Sequence, residues 1–397
     1  MKHNRRRIRR RRRRSLSASN WGPVLALSGT ILGILALIAL VLFVVLPRVM
    51  PLIGVEYNAP FMPTPTPSPT PKPLPTPNPM ERLKPVDAQT EVVFSESGSY
   101  RWFADPYFYD GVMIFSAGNL SGQNAVLTDL YLYYPDSRTA EKLPYHPVNA
   151  HIMYARFNEQ WIVYFDAKLN GGGQIMAVDR TKPNAQPVVI KDIYSGQPEI
   201  QLSGNYIAFI DRTGSRMDKL FVCDLNTLES TTVAMFSGSI YGQSLPSLKG
   251  DLLTWADSLD SASGSMTSAI YSIRLGSSTV STYNPGTYAH DPESDGKRTA
   301  WLTDNHGPDT QLYYSIGGSA PILIDSGVID YSLGENFIAY SKGDVIYAYS
   351  FETKTSYRIS PEHQLAQFLG ASDGKVIWMD VTSRDVGRDI IMFANIP

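Results

Sequence analysis

The chain has 397 residues, too many for one compact unit unless it forms a large all-β fold or a repeat. Residues 1–50 hold eleven Lys/Arg and no Asp or Glu, which leaves 24 basic and 37 acidic residues, a formal −13, in the remainder. That acidic remainder excludes nucleic acid as its partner, because phosphate binding needs basic clusters. The single cysteine, Cys223, excludes intramolecular disulfides and cysteine-based zinc sites.

The first 47 residues have the pattern of a membrane anchor. An arginine-rich tail over residues 1–20 precedes a segment, residues 21–47, in which Val24–Leu46 carries no charge. Twenty-three uncharged residues are enough to span a bilayer as a helix. The alternative interpretation is a cleaved signal peptide, but the apolar core of a signal peptide is shorter than this segment. The positive-inside rule predicts a single-pass protein of the cell membrane, with a cytoplasmic N-terminus and everything after residue 50 outside.

Residues 48–86 form a Pro/Thr-rich linker. Twelve prolines lie between Pro51 and Pro85. Proline removes backbone donors and fixes φ, so this segment cannot pair as a strand or coil as an α-helix. We expect extended polyproline II, which over residues 60–79 would reach roughly 60 Å. Such a stalk would hold the following domain away from the membrane, into or through a cell-wall layer.

Residues 87–397 contain a repeat marked by one aromatic position. A short apolar run recurs seven times, and in most units a Gly-containing turn precedes it. Each run has an aromatic residue in the same register, and the intervals between these aromatics are 49, 45, 46, 46, 39 and 38 residues. The seven registered aromatics are Phe115, Tyr164, Phe209, Trp255, Trp301, Tyr340 and Trp378. A period near 44 with several short strands per unit predicts an all-β, seven-bladed β-propeller.

The two ends of the repeat region predict how the ring closes. The seventh unit stops just after its second strand, so its outermost strand is missing from the C-terminal end. Thr90–Phe94 is a strand-like run that lies before the first innermost strand, predicted at Tyr100–Phe108. We predict that Thr90–Phe94 completes the seventh blade, because that pairing leaves no open sheet edge between the first and last blades.

The repeat resembles the TolB-like and WD40-like propeller repeats. The TolB-like repeat reads serine-proline-aspartate-glycine, an apolar-aromatic strand, then an aspartate-isoleucine-tyrosine strand. Ser372-Asp373-Gly374-Lys375-Val376-Ile377-Trp378 with Asp389-Ile390-Ile391 is similar to it, and so is Glu293-Ser294-Asp295-Gly296-Lys297. The resemblance covers about 310 residues. It implies an extracytoplasmic propeller that binds proteins; most blades lack the serine-proline step, so a Tol-system role is not implied.

No motif in the repeat region predicts catalysis, a metal site or a cofactor. Gly370-Ala371-Ser372-Asp373-Gly374 matches the G-x-S-x-G nucleophile elbow in letters only, because it lies in a strand-to-strand turn and the elbow needs a strand-to-helix turn. The histidines after residue 86 form no H-x-H or H-E-x-x-H pattern. We therefore predict no catalytic residues, no metal, no cofactor and no enzyme.

Five aspartates are the candidate ligand contacts. Each follows its registered aromatic by two or three residues, where a strand runs into a polar loop; they are Asp166, Asp211, Asp257, Asp304 and Asp380. In a closed propeller they would share one rim and could hold a cation or a basic peptide. They could equally cap free backbone donors as Asx turns, which their repetition favours. Unusually long loops on that rim, Ala117–Thr128, Asp257–Ser268 and Asn305–Asp309, are further binding candidates.

The sequence predicts a membrane-anchored propeller that acts as a non-catalytic scaffold for a protein, a peptide or a cell-wall component outside the cell. One alternative is an enzyme that acts on envelope glycans, a glycosidase or a lyase, using paired carboxylates about 5–9 Å apart. Another is the extracellular sensor subunit of a membrane complex. A deep pocket with facing carboxylates would favour the enzyme, and a shallow surface with exposed Tyr and Trp would favour the scaffold.

Overall fold

The computed structural model describes residues 41, 91–92, 102–121, 124–212, 217–237, 244–258, 268–286, 288–303, 308–362, 364–382 and 390–396. The predicted tail, residues 1–20, and the predicted Pro/Thr-rich linker, residues 48–86, lie outside the described residues. The predicted membrane span, residues 24–46, also lies outside them except for Val41. Among the described residues, no helix is long and apolar enough to cross a bilayer.

Strands account for the regular structure of the described part of residues 91–396. They are β1 (Glu91–Val92), β2 (Trp102–Tyr109), β3 (Val112–Ser121), β4 (Asn124–Tyr134), β5 (Thr139–Lys142), β6 (His151–Phe157), β7 (Trp161–Ala167), β8 (Gly173–Asp179), β9 (Val188–Ile193), β10 (Gln201–Ser203), β11 (Tyr206–Asp211), β12 (Met217–Asp224), β13 (Glu229–Ser237) and β14 (Ser247–Lys249). The others are β15 (Leu252–Ser258), β16 (Ser268–Arg274), β17 (Val280–Tyr283), β18 (His290–Ser294), β19 (Arg298–Leu302), β20 (Gln311–Ile316), β21 (Ile322–Ser326), β22 (Asp330–Leu333), β23 (Phe337–Lys342), β24 (Val345–Ser350), β25 (Thr355–Arg358), β26 (Ala366–Ser372), β27 (Lys375–Asp380) and β28 (Ile390–Asn395).

These strands form seven antiparallel sheets of four strands, which are the seven blades. Blades 1 to 6 take consecutive strands, from β2–β5 to β22–β25, and the first strand of each set is the innermost. Blade 7 has the order β1-β28-β27-β26, with Glu91 opposite Met392 and Val92 opposite Ile391. The predicted all-β, seven-bladed propeller and the predicted closure of its ring by an N-terminal strand are both confirmed.

The registered aromatics are buried where adjacent blades meet. Seven hydrophobic clusters of described residues each join two neighbouring blades, including blades 7 and 1. In every cluster the registered aromatic of one blade packs against the preceding blade. In the six clusters other than the one between blades 4 and 5, the residue before a registered aromatic packs against the next blade, as strand alternation requires. In five blades the aromatic also stacks on the ring directly opposite, as Phe209 does on Phe221 at 5.7 Å.

The long loop predicted over Ala117–Thr128 is mostly strand, and this prediction is corrected. Strand β3 continues to Ser121 and β4 begins at Asn124, so the hairpin of blade 1 extends beyond the others. A register shift between Ala117 and Gly118 lets the two strands keep pairing past the point where the repeat would turn. Most of the predicted loop Asp257–Ser268 lies outside the described residues.

Candidate functional site

The innermost strands of all seven blades surround a cavity of about 810 Å³. Its lining includes Glu199 and Leu245, which precede innermost strands, and also Asp295, Glu335 and Asp373, which lie at the turns where innermost strands end. Because the innermost strands of a propeller run side by side around the axis, these two groups of residues lie toward opposite faces of the propeller. The cavity therefore follows the axis of the propeller.

The lining of this axial cavity is strongly acidic. Two cationic side chains, Arg156 and Lys249, stand against eight carboxylates: Asp105, Glu199, Asp291, Glu293, Asp295, Asp330, Glu335 and Asp373. With all groups ionised the lining would carry a formal charge of −6. Within the described ranges, no group of three or more His, Cys, Asp or Glu side chains is arranged to hold a metal ion.

Strained backbone marks three of the innermost strands at the cavity wall. Asp105, Tyr154 and Asp291 have φ values of 54°, 52° and 48°, in the left-handed region that non-glycine residues rarely adopt. Each lies at a β-bulge of its innermost strand, in blades 1, 2 and 5. A residue in this conformation costs about 1–3 kcal/mol of stability, and such residues collect at functional sites. A bulge also changes the direction of a side chain that would otherwise alternate with its neighbours along the strand.

Two of the bulge carboxylates connect neighbouring blades. Asp105 accepts a hydrogen bond from the backbone N–H of Tyr154 at 2.7 Å, and Asp291 accepts one from Leu245 at 2.5 Å. Burial raises the pKa of Asp105, although the Tyr154 amide and the charge of Arg156 both oppose that shift. These bonds fix the geometry of the wall.

Glu199 is a second carboxyl of the cavity with a raised pKa. Its Oε1 lies 3.4 Å from Nη2 of Arg156, and 30% of its side-chain surface remains accessible. Its pKa is raised to about 7. Burial is the largest cause, the charge of Arg156 opposes it, and the charges of Asp105, Asp330 and Asp291 add to it. A carboxyl with this pKa exchanges a proton near neutral pH, as a general acid or base must.

Asp330 is a carboxylate across the axial cavity from Glu199, and its charge is one of those that raise the pKa of Glu199. Asp330 is the first residue of β22 in blade 6, and Glu199 lies two residues before β10 in blade 3, so both lie at the same end of the innermost strands. Blades three apart in a ring of seven stand on opposite sides of the axis. Asp330 is exposed, and its Oδ1 accepts the N–H of Tyr331 at 2.8 Å.

The second cation of the cavity is neutralised locally. Lys249 Nζ lies 2.8 Å from Oε2 of Glu293, and the same oxygen accepts the N–H of Leu333 at 2.9 Å. The hydroxyl of Tyr331 donates to the carbonyl of Ala300 at 2.9 Å, and burial with nearby acidic charges holds its pKa well above the ordinary value. This network ties blades 4, 5 and 6 together and leaves Arg156 as the cation beside Glu199.

The four predicted rim aspartates that the structure describes do not line the axial cavity. Asp211 is buried 3.9 Å from Lys191 Nζ, and Asp380 accepts hydrogen bonds from Gln364 and the backbone of Thr382. Asp257 is partly buried at the end of β15, and Asp304 lies outside the described residues. Their role as ligand contacts stays a prediction.

Asp166 has the contacts of a structural cap. Its two carboxylate oxygens accept the backbone N–H groups of Val148 at 2.7 Å and Asn149 at 3.0 Å. We expect Asp166→Ala to lower the free energy of unfolding by about 1–3 kcal/mol, because two amides lose their acceptor. Denaturant titration would measure this loss, and Asp192→Ala, on the exposed outer strand β9, is the control. Unchanged stability with weakened ligand binding would instead support the rim site.

Sequence reasoning missed the axial cavity because no position of the repeat carries a cavity-lining carboxylate in every blade. One signal was present: Asp105-Pro106 and Asp291-Pro292 repeat the same dipeptide in the innermost strands of blades 1 and 5. Proline within a strand pattern indicates a bulge or an irregularity. The bulges at these two sites bear that reading out.

The fold and the cavity define a seven-bladed propeller with an acidic axial pocket, and solved structures share this fold. Oligogalacturonate lyase from Vibrio parahaemolyticus is 11% identical with a TM-score of 0.53, over 80% of this chain and 99% of that one. Acylaminoacyl peptidase from Pyrococcus horikoshii is 11% identical with a TM-score of 0.51, over 70% of this chain. This chain spans about half of that peptidase, 49%.

TolB from Acinetobacter baumannii is similar at 15% identity and a TM-score of 0.45, over 64% of each chain. A scan of protein-family models and a search of curated proteins find no match to this sequence. At such identities these structural likenesses establish the fold alone.

The prediction that this propeller is not an enzyme is wrong, because neither its fold nor its lack of sequence motifs excludes catalysis. The lyase from Vibrio parahaemolyticus carries the similar region over 99% of its length, so an enzyme can consist almost wholly of this fold. A repeat fold can bring catalytic groups together from separate blades that are far apart in the sequence. Short linear motifs therefore do not reveal them, and their absence from the sequence excludes nothing.

Proposed function

We propose that this protein is a glycoside-hydrolysing enzyme and that the axial cavity is its active site. The observation that carries the proposal is Glu199, a carboxyl whose pKa is raised to about 7, across the axis from the exposed carboxylate of Asp330. Glycosidases need one carboxyl that holds a proton near neutral pH and a second one that stays ionised. A cavity of about 810 Å³ lies within the size range of small-ligand sites.

In this mechanism Glu199 is the general acid. Its carboxyl donates a proton to the glycosidic oxygen as the bond between that oxygen and the anomeric carbon breaks. The carboxylate of Asp330 either attacks the anomeric carbon or takes a proton from the attacking water, and the separation of the two carboxyls in the substrate complex decides which. Arg156 is a positioning residue: its guanidinium holds Glu199 at 3.4 Å and lies over the ring of Tyr107.

The charge of the cavity selects the class of glycan. Eight carboxylates against two cations disfavour a polyanionic chain such as a polyuronate, because like charges in a confined site repel. A lyase acting on uronates would need cations to neutralise the substrate carboxylate, and Lys249 is already paired with Glu293. The favoured substrate is therefore a neutral or amino-bearing glycan, and the favoured reaction is hydrolysis.

The composition of residues 1–86 supports a location for this reaction. An arginine-rich tail, an uncharged segment of twenty-three residues and a proline-rich stalk together favour an anchored enzyme held outside the membrane. We propose that the propeller acts there on glycans of the cell envelope. The membrane is then its partner through residues 24–46.

Assay of the soluble domain, residues 87–397, tests this function. The substrates are oligomers of glucosamine, oligomers of N-acetylglucosamine and polygalacturonate, and the readout is the release of reducing ends. We expect hydrolysis of at least one of the first two and no cleavage of polygalacturonate. If neither the glucosamine oligomers nor the N-acetylglucosamine oligomers are cleaved, the proposal is refuted. An unsaturated product from polygalacturonate would also refute it, because such a product is the mark of a lyase.

A further inference from the structure

We infer that the cleft between blades 4 and 5 is a second binding site, separate from the axial cavity, for an acidic saccharide. The cleft has a volume of about 600 Å³, and nine of its lining residues are serine or threonine. None of its lining residues lines the axial cavity. Its charged lining residues are Arg274 and Lys297, and it has no carboxylate in its lining.

Two rows of hydroxyls face each other across this cleft. In blade 4, Thr254 pairs directly with Ser272, which pairs with Ser281 on the next strand. In blade 5, Thr299 pairs with Ser294 on one side and with Ser315 on the other. All of these residues line the cleft. A cross-strand row places its side chains on one face of a sheet, so each blade presents a row of hydroxyls to its neighbour.

These hydroxyls break the symmetry of the repeat at positions that are otherwise apolar. The position before the registered aromatic is Thr254 in blade 4; in the other blades it is Ile114, Val163, Ala208, Ala300, Ala339 or Ile377. The position two before it is Thr299 in blade 5; in the other blades it is Met113, Ile162, Ile207, Leu253, Ile338 or Val376. The first position faces the next blade and the second faces the preceding blade, so the two exceptions meet at a single interface.

The hydroxyl of Thr254 is aimed into the cleft without a partner. Thr254 is fully buried, at 0% exposure, and its Oγ1 has no hydrogen-bond partner among the described residues. A buried hydroxyl left unsatisfied is destabilising, whereas the aliphatic side chains of the other blades avoid that penalty. The apolar cluster between blades 4 and 5 is correspondingly small, with Ile270, Ala289 and Trp301 as its buried members. A polar ligand would satisfy the hydroxyl.

The shape and charge of the cleft fit an acidic sugar unit. Serine and threonine hydroxyls both donate and accept, as the hydroxyls of a saccharide require. Tyr283 bounds the cleft with an aromatic ring, and its hydroxyl donates to the carbonyl of Ser319 in blade 5 at 3.0 Å. Arg274 is paired with Asp251, and Lys297 supplies positive charge for a carboxylate. This site is independent of the proposed hydrolysis at the axis.

Calorimetric titration of the soluble domain with trigalacturonate tests the inference, with galactotriose as the uncharged match and inorganic sulfate as the anion alone. The variants are Thr254→Val, which keeps the shape and removes the hydroxyl, and Lys297→Gln. The control is Thr232→Val, on the exposed outer strand of blade 3. We expect trigalacturonate to bind, and each cleft variant to weaken it at least tenfold while Thr232→Val leaves it unchanged.

The melting temperature separates loss of the site from loss of the fold. We expect Thr254→Val to melt at or above the temperature of the unsubstituted domain, because it removes an unsatisfied buried hydroxyl. Equal binding of trigalacturonate by Thr254→Val and the unsubstituted domain would overturn the inference. It would also be overturned by no binding of trigalacturonate, or by equal affinity for galactotriose or for sulfate.

Discussion

Glu199→Gln is expected to lower kcat for glycan hydrolysis by about 10²–10⁴-fold, the contribution typical of a positioned general acid. Glutamine keeps the size of the side chain and its contact with Arg156 but has no proton of suitable acidity to donate. Reducing-end assays on the soluble domain measure the effect. The matched control is Glu352→Gln, an exposed glutamate in the turn after β24, which should leave kcat unchanged.

The pH dependence gives this prediction a second readout. The pKa of Glu199 is raised from 4.5 to about 7 in the folded protein, so the acid form needed for catalysis is lost as pH rises through about 7. We expect kcat/KM to fall along that basic limb, and any residual activity of Glu199→Gln to lack it. A variant with full activity, or an unsubstituted enzyme with no basic limb near pH 7, would remove Glu199 from the role of acid.

Stability should follow pH in the same window. The unfolded chain releases the proton of Glu199 near pH 4.5, whereas the folded protein holds it until about 7. The folded state therefore binds more protons between these values, and the contribution of this group to stability declines as pH rises from 4.5 to 7. Glu199→Gln should remove that part of the pH dependence, while Glu352→Gln should retain it.

Phe209→Ala is expected to lower the free energy of unfolding by about 3–5 kcal/mol, the range for removing a large buried aromatic side chain. Phe209 is fully buried, stacks on Phe221 with ring centroids 5.7 Å apart, and packs in the cluster between blades 2 and 3. Its loss leaves a cavity at an interface where the ring of blades must stay continuous. Chemical denaturation of the soluble domain measures the change.

Tyr194→Ala is the control for this substitution, because Tyr194 is also a large aromatic residue near blade 3 but is 87% exposed. We expect that change to stay within about 0.5 kcal/mol, as surface substitutions usually do. A loss below about 1 kcal/mol for Phe209→Ala would mean that the registered aromatic does not hold adjacent blades together, contrary to its place in every inter-blade cluster.

The sequence by itself determined the ring. The registered aromatics and the strand-like run at Thr90–Phe94 are local patterns, and a repeat obliges each unit to bury its apolar face against the next. The number of blades and the closure of blade 7 by β1 follow from those patterns. Burial of Phe209 and its six counterparts was predictable for the same reason: a side chain that recurs in register meets the same neighbours each time.

Only the tertiary structure decided where the chemistry lies. Glu199 and Asp330 are 131 residues apart in the chain, and they line the same cavity because blades 3 and 6 surround one axis. The pKa of Glu199 depends on how deeply the blades bury its carboxyl, and that burial cannot be read from the residues around Glu199 in the sequence. Thr254 and Thr299 are likewise unremarkable alone. They define a cleft because alternation along their strands turns one toward the next blade and the other toward the preceding one.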